Sequence, residues 1–235
     1  MKKLMHGSNE IISIKNSNNG FLYKRPMVIR VTHSTNEIKL ENYLDYPMFE
    51  VNSNIIVDWG DNSPTDTMIN VDGNVGKGGI SHKFTDNLSV HDITFIGDIT
   101  TIEDDCFYHA TSLISASLPY GLTRIGSDAF AHCNNLSSIS IPYGVTTLDI
   151  WAINFCSNLS SIEIPSSVTY IGIGCFANCN NLNTYQFYWT GNNIISYDSE
   201  NMPNNTNTKF YVPKGQKTNY VNKGYPSDKV IERSS

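Results

Sequence analysis

The chain has 235 residues, 40% of them hydrophobic, which is enough for a packed core in one large domain or two small ones. Its net charge of −6 and pI near 5.4, with no basic block beyond Lys2-Lys3, argue against a partner held through phosphates, so nucleic acid is not expected. No apolar run reaches the length of a membrane span, so membrane insertion is not expected either.

Residues 1–24 are polar, rich in Asn and Ser, and lack a sustained period, which predicts an N-terminal arm. Lys2-Lys3 would suit the basic start of a secretion signal. However, His6, Ser8, Asn9 and Glu10 stand where an apolar stretch is needed, so no signal peptide is expected.

Across 25–96 the pattern changes to short alternating runs at 27–31, 38–40, 54–58 and 91–96, bounded by Asn, Asp, Gly and Pro. This predicts a small β-domain of antiparallel strands. The Gly-rich stretch 70–79 reads as an exposed loop. Asp58 and Asp61 could offer oxygens to calcium, but one short turn supplies fewer than the 6 to 8 ligands that ion takes. The favoured reading is a hairpin turn with Trp59 packed beneath it.

From residue 97 the chain repeats. Segments 99–119, 122–142, 145–165 and 168–188 align at a spacing of 23 residues. Their apolar residues fall into columns: Ile102/Ile125/Leu148/Ile171, Phe107/Phe130/Ile153/Phe176, Leu113/Leu136/Leu159/Leu182 and Leu118/Ile141/Ile164/Phe187. Such a period predicts a solenoid, in which each unit buries its apolar face only against its neighbours. Each unit carries a short strand, as at 138–141 or 161–164, followed by Pro119, Pro142 or Pro165, where a missing N–H does not break the ladder. The intervening stretch, 127–132 in the second unit, predicts a short helical turn. The third unit departs from the pattern at Asp149, Ile150 and Ile153, which predicts a distorted turn there.

The same columns account for much of the apparent chemistry. Cys133, Cys156 and Cys179 share a column with Ala110, and Cys106 and Cys175 share one with Ala129 and Ala152. Positions that take Cys or Ala read as small buried packing sites rather than as a metal or redox set. Asn135, Asn158 and Asn181 form a column expected to be buried, with amides bonding backbone of the adjacent turn. Glycans are therefore not expected at the sequons of Asn135 and Asn158. His109 and His132 stand 23 apart and read as an exposed column at a turn, although with Asp105 or Asp128 they could hold a metal.

Two families are resembled. The turn DWGDNS at 58–63, with His82-Lys83-Phe84 and a strand ending at Gly97, resembles the polycystic-kidney-disease-type immunoglobulin-like domains, with Asn62 and Phe84 replacing the usual Gly and Tyr. The segment GLTRIGSDAFAHCNNLSSISIP at 121–142 resembles the leucine-rich repeats of the BspA-like bacterial surface-antigen group, whose order is I-G-x-x-A-F, C-x-x-L and I-x-I-P. Beyond the slipped strand signal at 209–213, residues 214–225 resemble that group's closing segment, a cap over the open end of the core. The fold class expected is therefore mostly β with short helical turns. A leucine-rich-repeat solenoid occupies 97–188, behind a β-sandwich-like domain at 25–96, and an irregular last repeat and cap at 189–235 close it.

No HExxH pattern, nucleophile motif or phosphate loop is present, so neither enzyme activity nor a cofactor is expected. The candidate binding face is the stacked strand face: outward Ser117, Ser140, Glu163 and Gln186, with Tyr120 and Tyr143 in the turns that follow. Tyrosine gives large contact area with a polar tip. The BspA resemblance implies an adhesin-like protein at a cell surface, and a short chain without a visible leader suits a bacteriophage virion. The expectation is display on a virion or bacterial surface, with residues 1–96 contacting other virion or surface proteins and the repeat face meeting a host protein or glycan. A structural decoration or adaptor subunit is the alternative.

Overall fold

The computed structural model describes residues 12–15, 21–24, 26–32, 37–40, 48–69, 71–76, 79–84, 88–202 and 206–234. Within the stretch expected to be an arm, β1 (Ile12–Lys15) and β2 (Phe21–Lys24) form an antiparallel hairpin. Each strand spans only four residues, too few to register as a period. The rest of the expected arm lies outside the described residues.

The four runs expected as strands are β3 (Met27–Thr32), β4 (Glu37–Leu40), β6 (Ile55–Asp58) and β10 (Val90–Ile96), joined by β5 (Phe49–Val51), β7 (Asp66–Met68), β8 (Asn74–Val75) and β9 (Ile80–Lys83). The Gly-rich stretch is not merely a loop: Asp72 and Gly73, at φ of 51° and 88°, turn the chain so that β8 pairs with β5 and Val75 is buried. Gly at such a φ carries no Cβ penalty.

The repeats contribute strands to three hydrogen-bonded sheets. β11 (Ile99–Ile102), β13 (Arg124–Ile125), β15 (Thr147–Leu148) and β17 (Tyr170–Ile171) stack in parallel, each residue of one opposite its counterpart 23 positions on. On the other side stand β12 (Leu113–Ser117), β14 (Ser138–Ser140), β16 (Ser161–Ile164) and β18 (Thr184–Phe187). While β16 and β18 belong to a separate sheet, the β11-β17 stack and the β12-β14 pair each continue into the N-terminal strands, in the orders β8-β5-β11-β13-β15-β17 and β7-β6-β10-β3-β12-β14. There the pairing switches to antiparallel, β3 with β12 and β5 with β11, which covers the first edge of the solenoid. An exposed parallel edge would template association.

The apolar columns point inward and are buried throughout. Phe107 and Phe130 stack at 5.1 Å between ring centroids, and each such side chain contributes roughly 1.5–3 kcal/mol of burial. All five cysteines are free and buried, and Cys133, Cys156 and Cys179 each donate a thiol hydrogen bond to a carbonyl of the preceding turn, at 3.1, 3.2 and 3.0 Å.

The connections on the third side are not helical. In each, N–H groups alternate between a carbonyl three residues back, as Tyr108 to Asp105, and a carbonyl of the next turn, as Phe107 to Ala129 and His109 to Ala131. Two left-handed residues per turn enforce this by breaking any i→i−4 series: Asp105 and His109, Asp128 and His132, Trp151 and Phe155, all with φ between 54° and 60°. The third turn was expected to be distorted. It keeps the geometry of its neighbours and instead places two bulky aromatics in left-handed backbone.

The far end is closed by β19 (Lys209–Val212), α1 (Lys217–Asn222) and β20 (Val230–Glu232), in the sheet order β16-β18-β19-β20. Trp189, Phe187, Phe210, Tyr220 and Tyr225 fill the space between; the Trp189 indole N–H donates to Val168 O at 2.7 Å, and the Tyr220 hydroxyl donates to Trp189 O at 3.1 Å. This is the cap expected from 214–225.

Candidate functional site

The strand face is built from residues that alternate with the inward columns. Ser117 lies opposite Ser140, Glu163 opposite Gln186, and Gln186 opposite Tyr211 on β19. Tyr120 and Tyr143 stand in the turns that follow their strands, 49% and 72% exposed, beside Gly121 and Gly144. The register thus sets Ser117 beside Ser140 on one sheet and Glu163 beside Gln186 on another, with Tyr120 and Tyr143 exposed in the turns after β12 and β14. Glu163 is not free: its Oε2 accepts a hydrogen bond from the Tyr188 hydroxyl at 3.2 Å. The Arg233 guanidinium sits 4.1 Å from the centroid of the Tyr188 ring, and its Nη2 also donates to Phe187 O at 2.8 Å. Tyr211 and Arg233 were missed from sequence because the register slip after Tyr188 hides which residues join the column, and Tyr188 because it stands where the other units carry proline.

The turn face carries the charge. Arg124 donates from Nε to Asp149 Oδ2 at 2.7 Å, from Nη2 to Asp104 Oδ1 at 2.6 Å and from Nη1 to Glu103 Oε2 at 3.3 Å. Gly126 makes this possible, because a Cβ there would collide with the Asp104 carboxylate and approach Asp104 N to 2.7 Å. Asp105 and Asp128 stand outside this cluster. Burial, then the negative charges of Asp105 and Asp104, push the Asp128 carboxyl up to about 6. The Asp105 carboxyl is likewise raised, by burial and then by Asp104.

His109 and His132 stack at 4.3 Å with an interplanar angle of 5°, and His132 stacks on Phe155 at 4.4 Å. Ring nitrogen lone pairs lie in the ring plane, so face-to-face imidazoles cannot close on one ion between them. Among the described residues no group of three or more His, Cys, Asp or Glu could hold a metal. Burial lowers the basicity of His132, with the charge of His109 adding to it.

Burial pushes the Cys133 thiol up to about 12 and those of Cys106 and Cys175 well above the ordinary thiol range, which disfavours the thiolate form that would bind a metal or attack. At the N-terminal turn, Asp58 Oδ1 accepts from Gly60 N and Asp61 Oδ1 from Ser63 N, each at 3.0 Å, while Asp61 Oδ2 meets His82 Nε2 at 3.1 Å. Trp59 is buried, stacks on His82 at 4.5 Å and donates its N–H to Asp66. The carboxylates thus brace a turn, as the hairpin reading expects, rather than converge on an ion.

One column was misplaced. Asn135, Asn158 and Asn181 are exposed, not buried, because they occupy the outer edge of the bend that precedes the inward leucine. Asn135 and Asn181 still bridge turns, each donating Nδ2–H to a carbonyl of the preceding turn at 2.7 Å. Burial therefore gives no ground for excluding a glycan at Asn135 or Asn158.

Comparison with known proteins gives the same repeats. The model of the BspA type leucine-rich repeat region matches residues 80–209 in six copies, two more than the 23-residue alignment counts. No curated protein matches the chain. Among solved structures, the pneumococcal vaccine antigen PcpA is 17% identical with a TM-score of 0.47, over 57% of this chain and 41% of that one. A leucine-rich cell surface protein of Faecalibacterium prausnitzii is 26% identical with a TM-score of 0.33, over 40% of this chain and 30% of that one. A leucine-rich repeat protein of Bacteroides capillosus is 26% identical with a TM-score of 0.36, over 44% of this chain and 70% of that one. The chain spans about two fifths of the pneumococcal antigen. With six matched copies covering more than half its length, the chain belongs to the BspA-type leucine-rich repeat family.

Proposed function

We propose that this protein is a non-enzymatic recognition module displayed at a bacterial cell surface or on a bacteriophage virion, with the strand face as its contact for a host protein or glycan. The observation that carries this reading is the division of labour in the repeats. Cysteines and apolar residues are consumed by the core, whereas Tyr120 and Tyr143 are exposed in the turns that follow β12 and β14. Family membership supports a stack of repeats used for its surface. Four to five strands at roughly 5 Å each give a face about 20–25 Å long, suited to one modest contact. Residues 1–96, of which 25–96 resemble the polycystic-kidney-disease-type domains, would contact other surface or virion proteins.

Screening the full chain against immobilised host glycans and extracellular proteins tests this. Saturable binding that is blocked when the strand face is covered supports it. If no ligand binds, and the strand face proves buried by a neighbouring subunit in the native assembly, the structural adaptor role replaces it.

A further inference from the structure

The turn face offers a second surface. Its two left-handed columns hold Asp105, Asp128 and Gly174 in one and His109, His132 and Asn178 in the other, mostly residue types that accept such backbone. The third turn alone substitutes Trp151 and Phe155, bulky side chains for which a positive φ is a genuine outlier. Neither ring enters the core: Trp151 packs over Gly174 and Phe155 stacks on His132 at 4.4 Å. Trp151 is 47% exposed and Phe155 39%, beside exposed Ile150 and Ile173. Strain held at exposed positions points to function.

The apolar patch is continuous with the uncompensated carboxylates. Asp128 N donates to Ile150 O at 3.1 Å and Trp151 N to Ile173 O at 3.0 Å, so Asp105, Asp128 and Trp151 lie on successive hydrogen-bonded turns, about 5 Å apart. Arg124 is committed to Glu103, Asp104 and Asp149. A second copy of the chain would bring acid against acid, since Asp and Glu number 22 against 16 Lys and Arg. Charge complementarity selects a basic occupant.

We infer that residues 104–178 of the turn face dock a basic, apolar-anchored extended segment of a partner protein. A lysine or arginine meets Asp105 and Asp128, and an apolar side chain two to four residues away lies against Trp151 and Ile173. An extended chain rises about 3.3 Å per residue, so that spacing matches two turns.

The full chain is titrated by calorimetry with a synthetic peptide of alternating lysine and leucine, while acrylamide quenching follows Trp151. The other two tryptophans, Trp59 and Trp189, are buried, so quenching reports the patch. The expected result is saturable binding that shields Trp151 and weakens with added salt. Asp105→Asn with Asp128→Asn weakens it at least tenfold. Trp151→Asn weakens it similarly while leaving Tm unchanged or higher, because Asn suits a left-handed position. The inference is overturned by no saturable binding, by equal affinity for a glutamate–leucine or lysine–serine peptide, or by unchanged affinity in the variants. A lowered Tm in Trp151→Asn also overturns it, since the ring would then be structural. Tyr120 and Tyr143 lie on the strand face, so either result leaves that reading intact.

Discussion

Gly172→Ala measures how tightly consecutive turns are pressed together. A Cβ at Gly172 would lie 2.6 Å from Asp149 C and 2.8 Å from Ile150 Cα, and closer still to Ile150 N, all backbone atoms of the preceding turn. Ordinary contact begins near 3.4 Å, so the turns must part by about 1 Å. That movement strains the bonds from Gly172 N to Leu148 O at 2.8 Å and from Trp151 N to Ile173 O at 3.0 Å. Overpacking costs about 1–3 kcal/mol, and weakening one or two hydrogen bonds adds about 1 kcal/mol each. The sum is about 3 kcal/mol. Glycine and side chain alternate at this position, Gly126 lying over Glu103 and Gly172 over Asp149, whose carboxylates bond Arg124. Urea unfolding with an unchanged m-value reads the loss as a lower midpoint. Gly121→Ala, with nothing within 4 Å but a φ of +104°, isolates backbone strain and should cost about 1 kcal/mol. If Gly172→Ala costs no more than Gly121→Ala, the close stacking described here is wrong.

Three further outcomes follow from particular residues. None of the five thiols should react with a thiol reagent in the native protein and all five should react in denaturant, because burial closes access to all of them and also raises the pKa of Cys106, Cys133 and Cys175; labelling counted by mass spectrometry checks this. Asp128 has a folded pKa of about 6, above its unfolded value of about 3.9, so the native state binds the extra proton between those values. Stability from this group falls as pH rises through 6, and Asp128→Asn should stabilise at pH 8 by about 1 kcal/mol after solvent screening, with no gain at pH 4. Ending the chain after Val212 removes α1 and β20 and uncovers Phe187, Trp189 and Phe210, so the truncated protein should bind a hydrophobic dye and self-associate in light scattering.

Much of the repeat region was legible because stacking imposes one rule on every turn. A residue facing the core meets its equivalent 23 positions away, so Phe107, Phe130 and Phe176, or the cysteines, align in sequence as they do in space. What was hidden depends on φ and on non-repeating contacts. Left-handed backbone at Trp151 has no signature when the side chain there is not Gly, Asn or Asp, and so the turn was taken for a helix. The asparagine column aligned correctly but gave no sign of facing outward, since a polar residue bonding backbone is compatible with either side. The antiparallel junction of β3 with β12 joins residues some eighty positions apart, and no local pattern announces it. Of the strand face, Tyr120 and Tyr143 were visible as departures from the inward columns, whereas the Glu163, Tyr188 and Arg233 contacts depend on the cap.

The most direct test of the account is a paired measurement on the double variant Tyr120→Ser with Tyr143→Ser in the full chain. Both side chains are substantially exposed, so thermal stability should stay within a degree or two of the parent, while affinity for the ligand found by screening should drop at least tenfold. Loss of stability with binding retained would contradict it, because the tyrosines would then belong to the scaffold and the recognition surface would lie elsewhere.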